Sequence, residues 1–179
     1  MKSYVALLRA VNVSGQNKVP MAELRAQLSH AGYQDVTTYV QSGNVVLRAT
    51  ATPEPKLVGD LEREIRRSFG LTITVLVRTK DQLGEIRSAN PLLKRGAETG
   101  SLYVTFLATK PTAARVRDLA TKAAGPDEAI VRNREIFLCC PDGYGRTKLN
   151  NAFFERQLGV KATTRNWKTL TKLFELASR

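Results

Sequence analysis

The chain has 179 residues, an apolar content of 42% and a formal net charge of +12 at pH 7. This length predicts one domain or two small fused ones, and the apolar content is enough for a buried core, which argues against wholesale disorder. No apolar run approaches the ~20 residues of a membrane-spanning helix, and the first residues lack the long apolar core of a signal peptide. We therefore expect a cytoplasmic protein without a membrane partner.

The excess of positive charge favours a polyanionic partner, namely a nucleic acid or a phosphate-bearing ligand. A basic protein can equally bind nothing anionic and use its charge only to stay in solution, so both interpretations are open at this point. Cys139 and Cys140 are adjacent and would point to opposite faces of a strand, and His30 is the single histidine. The sequence thus predicts neither a metal site nor a cofactor.

The first half of the chain predicts a complete two-layer unit. Its expected elements are a strand at residues 4–11, a helix at 21–31, a hairpin of strands at 36–41 and 44–49, a helix at 57–69 and a strand at 71–77. Apolar residues such as Met21, Leu24 and Leu28 recur every three or four positions in the helices and alternate in the last strand. Two helices on one face of a four-stranded antiparallel sheet form a ferredoxin-like fold, which we assign to residues 1–79.

The second half partly repeats this order. Thr79 and Gln82 have the spacing of a capping box that opens a short helix, which must end near Pro91. The further elements are a strand at 102–108, a helix from Val116 through Ala123 to a stop at Gly125, a hairpin at 128–132 and 135–140, a helix from near Arg146 to Gly159, and a last helix from about Asn166 to Ala177. The predicted fold class is α+β: a ferredoxin-like βαββαβ subdomain followed, at residues 80–179, by a related βαββα subdomain with a C-terminal helix. Only the order of elements indicates a duplication.

The first candidate site is a polar edge of the first sheet. The first two strands run parallel because a helix returns the chain between them, so the loop at 12–18 and the turn at 41–44 share one edge. A helix N-terminus beside a glycine-bearing loop offers N–H groups to an anion, although ordinary turns use the same residue types and the loop lacks the Gly-Lys-Ser/Thr ending of a phosphate-binding loop. The candidate polar-edge ligands are Asn12, Lys18, Gln41, Ser42 and Asn44.

The second candidate site is the basic C-terminal segment. Residues 144–179 contain eight Lys or Arg and two Glu, a net charge of +6. In the last predicted helix Arg165, Lys168 and Lys172 repeat along the face opposite the apolar one, as expected for a stripe along a phosphate backbone or for the solvated face of an amphipathic helix. Trp167 is expected to be a core anchor rather than a platform for a base. The expected anion- or nucleic-acid-binding residues lie at two helix starts: Arg146, Thr147, Lys148, Arg165, Asn166, Trp167, Lys168 and Lys172.

Five stretches are similar to one bacterial family: residues 4–15, 21–25, 38–46, 141–149 and 162–169. In their order and composition they resemble the family catalogued as domain of unknown function 1697. The resemblance spans essentially the whole chain, and it implies a ferredoxin-like structure of two subdomains without an established activity. The chain departs from the family pattern at Ala10 and Ser14, where glycine is usual, and this loss makes the first loop less permissive as a phosphate cradle.

Three functional hypotheses follow. The leading one is a module that binds nucleic acid or phosphate through the basic helix starts, because ferredoxin-like sheets often bind RNA, although the alternating Gly-Phe strand pattern of RNA-binding sheets is absent. The alternatives are a small-ligand-binding protein or enzyme at the polar edge, and a protein-interaction module that uses a sheet edge. The sequence contains no recognisable catalytic constellation, since His30 lies far from the polar edge and the acids show no paired-carboxylate pattern.

Overall fold

The structure is a computed structural model that describes residues 1–120 and 125–179. Its first elements are β1 (Lys2–Leu8), α1 (Met21–His30), β2 (Gln34–Tyr39), β3 (Asn44–Ala49), α2 (Glu54–Phe69), β4 (Val75–Thr79) and α3 (Lys80–Ala89). The elements that follow are α4 (Pro91–Lys94), β5 (Leu102–Leu107), α5 (Ala113–Ala120), β6 (Glu128–Arg132), β7 (Glu135–Cys139), α6 (Asn151–Leu158), β8 (Ala162–Asn166) and α7 (Trp167–Ala177). Two short 3₁₀ turns span Thr99–Ser101 and Tyr144–Arg146.

The chain divides into two compact units. The first unit comprises Met1–Gly84 together with Lys172–Arg179, and the second comprises Glu85–Thr171. In the first unit the sheet order is β2-β3-β1-β4 and all neighbouring strands are antiparallel. This is the predicted ferredoxin-like βαββαβ arrangement. Leu8, Leu24 and Leu61, from β1, α1 and α2, are at most 2% exposed in the core between sheet and helices.

The second unit has the same strand order, β6-β7-β5-β8, again with antiparallel neighbours. The predicted α+β fold class is therefore confirmed, and β8 completes a second βαββαβ arrangement that the sequence analysis had not recognised. This strand is short and rich in threonine, so it lacks the apolar alternation by which strands are recognised. Leu107, Leu138 and Phe154 lie in the core of this unit, each with no measurable exposure.

The two units repeat at the level of individual residues. In the first sheet Val5 of β1 is paired with Arg78 of β4, and in the second sheet Val104 of β5 is paired with Arg165 of β8. Both arginines are buried, with exposed fractions of 1% and 8%. An arginine at an equivalent register position in each unit adds residue-level support to the duplication indicated by the order of elements.

The junction after the fourth strand also repeats. Thr79 ends β4 and forms the predicted capping box at the start of α3: its Oγ1 accepts the N–H of Gln82 at 3.2 Å, and Gln82 Oε1 accepts the N–H of Thr79 at 2.9 Å. Asn166 ends β8 and caps α7, because its Oδ1 accepts the N–H of Thr169 at 2.8 Å. Each unit therefore runs from its fourth strand into a capped helix without a connecting loop.

One predicted helix start is wrong. The helix expected to begin near Arg146 begins at Asn151, after the cap residue Asn150, whose side chain accepts the N–H of Phe153 at 2.9 Å. The last helix spans Trp167–Ala177, in agreement with the predicted range from about Asn166 to Ala177, and the residues before it belong to β8. The predicted continuation of α5 through Ala123 lies outside the described residues.

Gly43, in the turn between β2 and β3, lies so close to neighbouring side chains that there is no space for a Cβ atom. Its φ is +79°, and a Cβ there would lie 2.5 Å from Val11 Cγ2 and 2.7 Å from Leu8 Cβ. We expect Gly43→Ala to lower the free energy of unfolding by roughly 2–4 kcal/mol, because it adds a steric clash to left-handed strain. Urea unfolding followed by circular dichroism measures this loss.

Gly15→Ala is the matched control for this prediction. Gly15 has a similar φ of +74°, but a Cβ there would meet no heavy atom within 4 Å. The Gly15→Ala variant should gain left-handed strain but no steric clash. We therefore expect its free energy of unfolding to fall by only about 1 kcal/mol. Equal losses in the two variants would contradict the packing argument for Gly43.

Candidate functional site

The polar edge of the first unit is held together by Asn12. Its Nδ2 donates to the carbonyl oxygens of Gln41 at 2.7 Å and Val19 at 2.9 Å, and its Oδ1 accepts the N–H of Val19 at 2.9 Å. The loop after β1 and the turn after β2 therefore meet, as the parallel direction of the two strands predicts. The Asn12 side chain is committed to joining them.

Asn44 has a similar internal role in the β2–β3 turn. It has no exposed surface, and its Nδ2 donates to Tyr39 O at 3.0 Å and to Ser42 Oγ at 2.9 Å. Lys18, Gln41 and Ser42 are exposed to solvent. These three residues are the members of the predicted polar-edge set that a ligand can reach.

Left-handed backbone conformations concentrate at this edge. Among the described residues seven non-glycine residues have a positive φ, and five of them lie here: Ala10, Asn12, Ser14, Asn17 and Val40. Asparagine tolerates this conformation, whereas Val40, at φ 50°, is β-branched and is a conformational outlier. Ala10 and Ser14 also have left-handed backbones, with φ of 56° and 50°. Glycine would adopt this conformation without a Cβ penalty at both positions.

The segment with Arg146, Thr147 and Lys148 lines a cleft of about 220 Å³ in the second unit. The hydroxyl of Thr147 is buried and lies 2.5 Å from a carboxylate oxygen of Asp127, to which it donates. Asp142 lines the same cleft. Two cations therefore face two carboxylates here, so the cleft has no net positive charge to attract an anion.

The tyrosine of the Gly143-Tyr144-Gly145 turn points into the protein. Its hydroxyl donates to Thr164 Oγ1 at 3.2 Å, and its ring centroid lies 5.3 Å from that of Tyr103. Burial raises the pKa of Tyr144 above its ordinary value. Thr164 Oγ1 in turn donates to Asn151 Oδ1 at 2.7 Å. This polar network anchors the turn to β8 and α6. Its members are far apart in the sequence, so no local pattern predicts it.

Arg165 lies on β8 rather than on the last helix. Its guanidinium donates to Thr163 Oγ1 at 2.7 Å and to Thr164 O at 2.9 Å. Burial lowers the pKa of Arg165 to about 10, so the side chain remains protonated at neutral pH. The predicted stripe along the last helix therefore lacks its first member.

The remaining residues of the second predicted site have different environments. Asn166 is the cap of α7, and Trp167 is buried, with an exposed fraction of 8%. Lys168 is exposed to solvent. Lys172 belongs to the first unit, where its Nζ lies 3.2 Å from Glu175 Oε2. Of this set Arg146, Lys148 and Lys168 are the exposed cations of the second unit.

A further group of cations lies at one end of the second sheet, where three connections meet. The N–H of Leu107, at the end of β5, donates to Arg134 O at 2.8 Å in the β6–β7 turn. The next residue, Ala108, donates its N–H to Lys161 O at 2.9 Å, just before β8. We call this end the basic edge and define it by Lys110, Arg115, Arg132, Arg134 and Lys161.

Arg115 joins the basic edge from α5. Its guanidinium donates to Gln157 O at 3.2 Å, near the end of α6. Four of the five cations are exposed, and Arg134 is half-buried. The nearby carboxylate of Glu155 accepts the N–H of Ala162 at 2.9 Å. The basic edge therefore has an excess of positive charge at the surface, unlike the cleft beside Arg146.

The geometry defines a protein of two ferredoxin-like α+β units with a polar edge on one unit and a basic edge on the other. The chain belongs to the bacterial family DUF1697, because the family model described as "Protein of unknown function (DUF1697)" matches residues 1–137. It is also similar in fold to the conserved bacterial protein SP0830 from Streptococcus pneumoniae. That similarity has a TM-score of 0.72 and 23% sequence identity, over 98% of each chain. No curated protein matches the chain.

The described residues can also be compared with the requirements of a membrane-spanning helix and of a metal site. Their helices include none that is both long and apolar enough to cross a bilayer. Across the same residues no group of three or more His, Cys, Asp or Glu side chains is arranged to hold a metal ion.

Restoring glycine in the strained loop should stabilise the protein. We expect Ala10→Gly and Ser14→Gly each to raise the free energy of unfolding by about 0.5–1 kcal/mol, because relief of left-handed strain exceeds the added entropy of the unfolded chain. Chemical denaturation of the single variants measures this gain. Ala22→Gly on α1 is the control and should lose about 1 kcal/mol, since there glycine replaces a helical alanine. If Ala10→Gly lowered the free energy of unfolding as much as Ala22→Gly does, the argument from left-handed strain would be contradicted.

Proposed function

We propose that this protein binds the phosphate groups of a nucleic acid through the basic edge of its second unit. The observation that carries the proposal is the clustering there of Lys110, Arg115, Arg132, Arg134 and Lys161, brought together by separate connections of the fold. Lysine and arginine only donate hydrogen bonds, and phosphate oxygens only accept them. A cluster of such donors at an exposed sheet end is suited to a polyanion.

The distribution of charge supports this proposal. Residues 85–171, which form the second unit, contain fifteen basic and eight acidic residues, a net charge of +7. The acidic residues close in sequence to members of the basic edge are Asp118, which is exposed on α5, Glu135, which is buried, and Glu155, which is half-buried and accepts a backbone N–H. The five cations of the basic edge outnumber these three carboxylates. The long-range field of the second unit therefore attracts anions toward this edge.

Two triple variants with the same change in charge test the proposal. In the basic-edge variant Lys110, Arg132 and Lys161 are replaced by alanine, and in the control variant Arg146, Lys148 and Lys168 are replaced by alanine. All six side chains are exposed, so neither variant removes a core contact. Fluorescence anisotropy with a labelled DNA duplex of about 20 base pairs, titrated at several salt concentrations, gives the affinities.

We expect the basic-edge variant to bind the duplex roughly tenfold or more weakly than the natural chain, with a log–log salt slope shallower by up to about 3. The control variant should stay within about threefold of the natural chain, because only the general charge has changed. A larger loss in the control variant would move the site to the helix starts predicted from the sequence. Absence of binding by the natural chain at low salt would reject the proposal.

Binding of a small polar ligand at the polar edge of the first unit is a second candidate function. The concentration of left-handed residues at Ala10, Ser14 and Val40 favours it, because such strain persists where the surrounding structure holds a functional geometry. Lys18, Gln41 and Ser42 are the exposed groups available to such a ligand. These side chains can donate to a phosphate or carbonyl oxygen.

Thermal-shift screening of the natural chain against nucleotides and phosphorylated metabolites tests this second candidate. A ligand that binds there should raise the melting temperature of the natural chain and leave that of a Lys18→Ala, Gln41→Ala variant unchanged. Gln16→Ala, in the same loop, is the control and should keep the shift, since Gln16 uses its backbone N–H to reach Val13 O at 2.9 Å. A ligand-induced shift that survives in the double variant would remove these residues from the site.

A further inference from the structure

The aromatic side chains limit which nucleic acid the basic edge can hold. Proteins that bind single strands stack the bases on exposed aromatic rings. This chain has one Trp, five Tyr and six Phe, all within the described residues, and every one of them is buried or half-buried. Tyr103 and Tyr144 in the second unit lie against each other, with ring centroids 5.3 Å apart. No aromatic side chain of the protein is therefore as exposed as a typical platform for an unpaired base.

The faces of the second sheet are closed as well. In ferredoxin-like RNA-binding domains the open sheet face carries the stacking residues. Here Val104, Phe106 and Phe137, which point away from the helix-facing side, are at most 2% exposed. On the other side Leu107 and Leu138 lie in the core with α5 and α6. The central strands of this sheet are therefore covered on both faces, whereas the edge strand β6 and the basic edge remain accessible.

We infer that the nucleic acid bound at the basic edge is double-helical, an inference that rests on the function proposed above. A surface of cations without stacking groups contacts only the phosphates of a nucleic acid. The two strands of a duplex together carry one negative charge per ~1.7 Å of helix axis, which is a high density of such contacts. A single strand has a lower charge density, and its bases would find no exposed aromatic ring on which to stack. The bases of a duplex need no ring from the protein, because they already stack on one another.

Binding to matched probes tests the inference with the full chain. The probes are a labelled 20-base-pair DNA duplex, the same labelled DNA strand alone, and the corresponding RNA duplex and RNA strand, all at one salt concentration. We expect each duplex to bind about tenfold more tightly than its own single strand, and a duplex of scrambled sequence to bind within about twofold. The two duplex arms distinguish DNA from RNA as the source of the phosphates.

The outcomes separate this inference from the proposed function. Equal or tighter binding of the single strands would overturn the preference for a duplex while leaving phosphate binding at the basic edge intact. Failure of all four probes to bind at low salt would overturn both. The variant with Lys110, Arg132 and Lys161 replaced by alanine adds a further readout, because it should lose affinity for the duplex more than for the single strand.

Discussion

The backbone pairing of β8 with β5 is the constraint on which most of the second unit depends. It joins Leu107 to Ala162 and Tyr103 to Asn166 along one antiparallel ladder. At one end of this ladder it holds Lys161 against Ala108, and at the other it delivers Asn166 as the cap of α7. Because side chains paired across an antiparallel ladder lie on the same face of a sheet, this pairing also places Arg165 beside Val104, on a face where both residues are buried. The basic edge, the start of the last helix and an internal arginine thus share one cause.

The two units use equivalent sheet ends in different ways. In each, the connection after the first strand meets the hairpin between the second and third strands. The first unit fills this end with amide side chains, Asn12 and Asn44, that join backbone segments, and it holds Val40 in a left-handed conformation. The second unit has shorter connections there and exposes cations such as Arg132 and Lys161. One architecture therefore supports two surfaces of different chemistry, which is why the fold alone does not identify an activity.

Much of the fold could be predicted because its evidence is local. The helical stripe of Met21, Leu24 and Leu28 and the capping box of Thr79 and Gln82 need only neighbouring residues, and both are present in the structure. The strand β8 escaped prediction because its sequence, Ala-Thr-Thr-Arg-Asn, has no apolar alternation and runs directly into a helix. Without β8 the spacing of Arg165 matches a helical stripe, and no local pattern connects Lys161 with the end of β5.

By itself the sequence determined the α+β class, the order of most elements, the family and the excess of positive charge, because these depend on composition and short-range spacing. Only the tertiary structure decided which polar side chains reach solvent. Asn12 meets Gln41 across 29 positions and Thr147 meets Asp127 across 20, so the polar atoms of each side chain are bound to a partner distant in the chain. The basic edge arises in the same way, from residues that become neighbours only when the strands pair. Hydrogen bonds and strand pairing between distant residues, rather than local propensity, therefore determine where this protein can bind.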